Sequence, residues 1–169
     1  ERPGHGSQLL QSQAQLNEAH RLAHIGIWDW TAETDTTVWS EELYRIAGRD
    51  PQLPIPSYTE NPGRYTPDSL MRLKAAVEKS RETGEPYQLE LELVRLDDGS
   101  IRWINAFGGA KYDRFGRIIG LHGTVQDITE RKVLEMELAV YHKELEALVK
   151  ARTAEFEEVN TTLKVLLGH

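Results

Sequence analysis

Residues 123–132, GTVQDITERK, decide how the chain folds. Upstream, residues 117–128 are rich in aliphatic and β-branched side chains. In a strand, Ile119, Leu121, Gly123 and Val125 would share one side, and Gly120, His122, Thr124 and Gln126 the other. Downstream of Glu130 nothing breaks a helix until Gly168. Between the two lie Asp127, Ile128 and Thr129. Thr129 can cap a helix that begins there, and Asp127 can accept hydrogen bonds at that helix's N-terminus. The stretch therefore reads as a strand that runs directly into a long helix.

The helix has a narrow apolar seam. Leu134, Leu138, Tyr141, Leu145 and Leu148 recur in steps of 4, 3, 4 and 3; Phe156, Val159, Leu163 and Leu166 follow in steps of 3, 4 and 3. Arg152 stands four residues from each half. This is a heptad pattern with a four-residue stutter at Arg152. A lone helix with so thin a stripe is marginal in water, so the pattern predicts a dimeric coiled coil over residues 130–169.

Working back toward the N-terminus, short turns separate three strands. Tyr87, Leu89, Leu91 and Leu93 alternate with Gln88, Glu90 and Glu92. The turns DDGS (97–100) and DRFG (113–116) mark antiparallel hairpins around residues 101–111. Thr66-Pro67 opens a helix that stops at Gly84, with Leu70, Leu73 and Val77 on its buried face. Residues 50–63 hold Pro51, Pro54, Pro56 and Pro62 and read as loop. IGIWDWT (25–31) and TVWS (37–40) form a further hairpin, and Ser40 is placed to cap a short helix ending at Gly48. Residues 8–24 read as an N-terminal helix with Leu9, Leu16 and Ala23 at helical spacing. Residues 1–7 (ERPGHGS) are expected to be disordered or a remnant of cloning.

Composition narrows the chemistry. The 169 residues are 39% hydrophobic and 28% charged, with a net charge of −7. That balance supports one core plus an extension and argues against direct nucleic-acid or membrane binding. No apolar run approaches the roughly 18 residues a membrane span needs. With no signal-peptide pattern either, a cytoplasmic location is expected, unless a membrane segment lies upstream. The absence of cysteine excludes disulfides, Cys nucleophiles, thiolate metal sites, c-type haem and thiol-linked flavin.

Four stretches in order carry a resemblance to the PAS family: RLAHIGIWDW (21–30), VWSEELYRIAG (38–48), DGSIRW (98–103) and GTVQDITERK (123–132). The match covers residues 20–132. It implies an α+β fold: a five-stranded antiparallel sheet with flanking helices, here over residues 25–129, between the N-terminal helix and the long coiled-coil helix. Two features depart from the family pattern. Thr66-Pro67-Asp68 stands where His-Pro-Asp is common. The turn at Leu96-Asp97-Asp98-Gly99 is one residue longer, which leaves the facing of the strand at Leu89–Leu93 open by one position.

By the same resemblance, Val125 faces the pocket where flavin-binding members place a Gln. Ile104, Ala106 and Gly108 line the neighbouring strand, with Ile119 and Leu121 beyond Val125. The wall is apolar and suits simple core packing first and a small apolar metabolite second. Haem-binding members place a His on the longer helix, and residues 67–83 contain none; noncovalent haem or flavin is not expected. The cofactor, if there is one, stays unknown. His20 and His24 straddle a helix end and His122 faces outward, so no metal site is predicted. Trp103 and Phe107 fall on the outer face, where the N-terminal helix of the same or a second chain could cover them. His142 lacks the residue pattern of a kinase phospho-acceptor.

The resemblance makes Asp127, Ile128 and Thr129 the element that couples the sheet to the exit helix. The function expected is a non-enzymatic sensing and dimerisation module. Its parallel homodimer would relay a signal through the coiled coil to a C-terminal effector, either a histidine kinase core or a LuxR-type DNA-binding domain. The alternative is a ligand-free PAS dimerisation scaffold.

Overall fold

A computed structural model of the protein describes residues 4–57 and 62–168. The chain divides into two units, Glu1–Thr129 and Glu130–His169. The first unit contains α1 (His5–Ala23), β1 (Ile25–Thr31), β2 (Thr36–Trp39), α2 (Glu41–Ala47), a short 3-10 turn (Pro62–Arg64), α3 (Pro67–Thr83), β3 (Tyr87–Val94), β4 (Ile101–Tyr112) and β5 (Ile118–Asp127). The helix α4 (Thr129–Leu166) follows.

The five strands form one sheet in the order β2-β1-β5-β4-β3, with every neighbouring pair antiparallel. The first and last strands of the sequence hairpins therefore meet in the middle: Gly26 opposes Val125 and Trp28 opposes Gly123. Period-two alternation sends Leu91 and Ile104 to one face, where both are fully buried, and leaves Glu90 and Glu92 on the other. Leu43 and Ile46 of α2 and Leu73 of α3 close that face together with Leu93, Ala106 and Val125. The fit is tight at β1. A Cβ on Gly26 would lie 2.7 Å from Leu43 Cβ and 2.8 Å from Leu43 Cα, so only glycine lets α2 approach so closely.

The facing left open by the longer β3–β4 turn is decided by its register. Leu91 pairs with Ile104 and Leu89 with Ala106, so all three leucines of the strand face the helices. Beyond Val94–Ile101 the turn closes through Arg95 N–H to Ser100 O and Gly99 N–H to Arg95 O, with Gly99 at φ 71°. The extra residue is absorbed there rather than in the ladder.

Three local expectations change. The N-terminal helix begins at His5, not Gln8, since residues 5–7 continue its hydrogen-bonded turns and Ser7 N–H bonds to Gly4 O. Residues 1–3 of the expected disordered stretch lie outside the described residues. Ser40 and Thr66 sit at the N-cap positions of α2 and α3, but neither side chain makes the cap hydrogen bond. Ser40 Oγ instead accepts from Ile27 N–H at 2.8 Å, which ties β2 to β1. Thr66 Oγ1 is buried without a hydrogen-bond partner.

Candidate functional site

The inner wall of the sheet carries most of the residues expected to line a pocket. Ile104, Ala106, Gly108, Leu121 and Val125 are all buried there. The small residue at Gly108 does not leave space, because a Cβ added to it would lie 2.2 Å from the Tyr87 ring. Tyr87 opposes Gly108 across the β3–β4 ladder and lies over it. Ile119 is the one pocket candidate that does not belong to the wall, being 40% exposed. The register slips between Lys111 and Tyr112, so that Gly120 opposes Lys111 while Ile118 opposes Tyr112. Ile119 falls in that irregularity, and the alternation that would turn it inward is lost.

The exit turn is a connected set of hydrogen bonds. Asp127 Oδ1 accepts from Thr129 N–H at 3.0 Å and from Thr129 Oγ1 at 2.5 Å. Thr129 Oγ1 in turn accepts from the Trp103 N–H of β4 at 2.9 Å. Ile128 is buried, and its N–H donates to Trp103 O at 2.8 Å. Arg102 brings its guanidinium to 3.9 Å from Asp127 Oδ2. The roles expected of Asp127 and Thr129 are thus partly exchanged: Asp127 supplies the cap, while the Thr129 hydroxyl reaches sideways into the sheet. Sequence reasoning missed that Trp103 receives this hydroxyl, because the contact runs through a backbone amide that no side-chain pattern reveals.

On the other side of the same turn, Asp127 N–H donates to His24 O at 3.0 Å, and Gln126 Nε2 donates to Ala23 O at 3.3 Å. His24 ends α1 in the left-handed conformation, at φ 55°. Its Nδ1 is 3.8 Å from Glu42, a buried carboxylate that Arg45 holds at 2.9 Å. Among the described residues no group of three or more His, Cys, Asp or Glu could hold a metal ion.

The outer face stays open within one chain. Phe107 is 44% exposed and Trp103 half-buried. A groove of about 220 Å³ separates α1 from β1 and β2, lined by Leu16, His20, Ile27 and Val38 among others. Lys111 crosses above Gly120 to Asp29 Oδ1 and Thr31 Oγ1 at the far end of this face.

In α4 no residue is buried. The seam residues Leu134, Leu138, Tyr141, Leu145, Leu148, Phe156, Val159, Leu163 and Leu166 are all exposed, as is Arg152 at the stutter. His142 lies 3.2 Å from Glu146 one turn on in the same helix. Among the described residues no helix is long and apolar enough to cross a membrane.

The sequence of residues 36–125 matches the model of a PAS-fold family. This chain belongs to the PAS family. The blue-light-activated histidine kinase of Brucella ovis is 29% identical over 161 residues, covering 93% of this chain and 31% of that protein. The PAS chain thus spans about a third of the length of the curated relatives it matches. A solved sensory box histidine kinase/response regulator from Burkholderia thailandensis is 28% identical with a TM-score of 0.62, over 78% of this chain and 98% of that one. The N-terminal domain of a diguanylate cyclase with PAS/PAC sensor from Marinobacter aquaeolei, at 19% identity and a TM-score of 0.55 over 64% of this chain and 98% of that one, shares the fold.

Some members of the PAS family hold a flavin. This PAS domain does not fit one bound through a thiol adduct, since the sequence has no cysteine to attack the ring. Within the wall Ile104, Ala106, Leu121 and Val125 are apolar, and Tyr87 lies over Gly108.

Proposed function

We propose that this PAS domain is a non-catalytic signal-relay module. A rearrangement of its sheet moves the Asp127–Ile128–Thr129 turn and so reorients α4. That helix pairs with α4 of a second copy in a parallel coiled coil, which carries the change to a C-terminal effector. The observation that supports this most directly is the Thr129 hydroxyl, which accepts from the β4 backbone at Trp103 while bonded to Asp127. One side chain at the start of the helix is thereby coupled to the backbone of β4. The exposed heptad seam supports pairing, because each large apolar residue it buries contributes about 1.5–3 kcal/mol. Likeness to sensory histidine kinases favours a kinase core over a LuxR-type DNA-binding domain as the effector.

The packed wall favours a second copy or an upstream segment, rather than a small apolar metabolite, as the source of the signal. Native mass spectrometry tests both parts of the reading. The expected result is a dimer with no retained small molecule. A monomer at tens of micromolar would overturn the relay, and a stoichiometric retained molecule would replace the packed-core reading with a ligand sensor.

A further inference from the structure

A helix leaves its last carbonyls without intrahelical donors. At the end of α1 two of these carbonyls are met from the exit strand: Gln126 Nε2 reaches Ala23 O, and Asp127 N–H reaches His24 O. Asp127 therefore works in two directions. Its amide holds the cap of α1, and its carboxylate holds the amide and hydroxyl of Thr129, the first residue of α4. A single residue joins the end of one helix to the start of the other, with no core side chain between them.

The attachment of α1 is along its C-terminal half, where Leu16, Asn17 and His20 face β1 and β2 across the groove. The helix buries none of its residues, and Leu9, Leu10 and Leu22 are at least 70% exposed. Its C-terminal turn, by contrast, is fixed on several sides. His24 faces the buried Glu42–Arg45 pair, and Gly26, two residues on, lies against Leu43. A rod held over its C-terminal half and free beyond it acts as a lever on whatever holds that half.

We propose that α1 is an input arm: a pull or twist applied to the N-terminal helix passes through Gln126 and Asp127 directly to the Thr129 turn, without any change in the packed core. The inference rests on the reading of that turn as the output element, and it names the input which that reading leaves open.

Amide hydrogen exchange on the full 169-residue chain tests it. The reporters are the amides of Thr129 and Trp103; that of Glu92, which bonds Ser69 Oγ in the core, is the control. Ala14→Pro breaks α1 at its middle, and Gln126→Met removes the donor to Ala23 at similar volume. Each should speed exchange at Thr129 and Trp103 by roughly fivefold, the worth of about one hydrogen bond, and leave Glu92 unchanged. Combined, the two substitutions should give no more than either alone. Unchanged Thr129 and Trp103 in both variants would overturn the proposal, as would equal acceleration at Glu92, which would mean a general loss of stability. Asp127→Ala separates the two readings. If the α4 amides beyond Thr129 do not respond to it, the output reading falls by itself, whatever the first two variants give.

Discussion

Thr129 and Gly108 carry the sharpest consequences among single residues. The Thr129 hydroxyl accepts from Trp103 N–H and bonds Asp127, so Thr129→Val leaves a part-buried amide without an acceptor. The expected cost is about 1–3 kcal/mol, read as a lower urea midpoint at unchanged slope, and Thr129→Ser should restore most of it. Gly108→Ala places a methyl group against the Tyr87 ring. Overpacking of this kind costs about 1–3 kcal/mol. A variant as stable as the parent would mean that Tyr87 can swing aside and that the wall is not filled. Both residues show how the inner wall and the exit turn depend on contacts made across neighbouring elements.

Among the elements, the β3–β4 turn is electrostatically set. Arg95 hydrogen-bonds the Asp97 carboxylate and holds its pKa at about 2, below the ordinary 3.8. Ser100 lowers that of Asp98 through its hydroxyl and amide. A carboxylate with a folded pKa below its unfolded one contributes stability above the unfolded value and loses it as the pH falls through the folded one. The turn should therefore be intact at pH 5 and above and loosen between about pH 4 and pH 2. Carbon-detected NMR titration reads this directly, and Arg95→Gln should move the Asp97 midpoint up toward 3.8. The turn also rests on α2, where Leu96 N–H donates to Ala47 O and Gly48, at φ 68°, lies against Asp97. In α4 the interrupted seam predicts its own behaviour. Arg152→Leu makes the apolar stripe continuous, so the proposed dimer should melt at a higher and less concentration-dependent temperature. An unchanged melt would mean that the stutter is not at Arg152.

For the whole molecule the question is what the N-terminal helix does. Sequence spacing suggested a cover for Trp103 and Phe107, yet within one chain Phe107 stays open and α1 buries no residue. A chain beginning at Ile25 should then keep its thermal midpoint within about 5 °C, the equivalent of losing roughly one cap. A much larger drop would mean that α1 covers the sheet in the assembled protein, from the same chain or from a second copy.

Much of this protein is readable from local pattern alone. The alternation at Leu89–Leu93, the stop signals at Gly48 and Gly84, and the switch from strand to helix at Asp127–Thr129 are short-range and match the observed elements. The PAS family was legible because four such segments stand in order. The rest was settled by how the strands pair. The slip at Lys111/Tyr112 removed Ile119 from the wall, Tyr87 closed the space over Gly108, and Ser40 left its cap to bond Ile27. Gln126 and Asp127 found the end of α1 only because β1 and β5, about 100 residues apart in sequence, lie side by side in the sheet. Periodicity fixes which side a residue takes within its own strand, whereas register and bulges fix what it meets across the sheet. That second choice depends on the folded sheet as a whole, and no single segment of this sequence contains it.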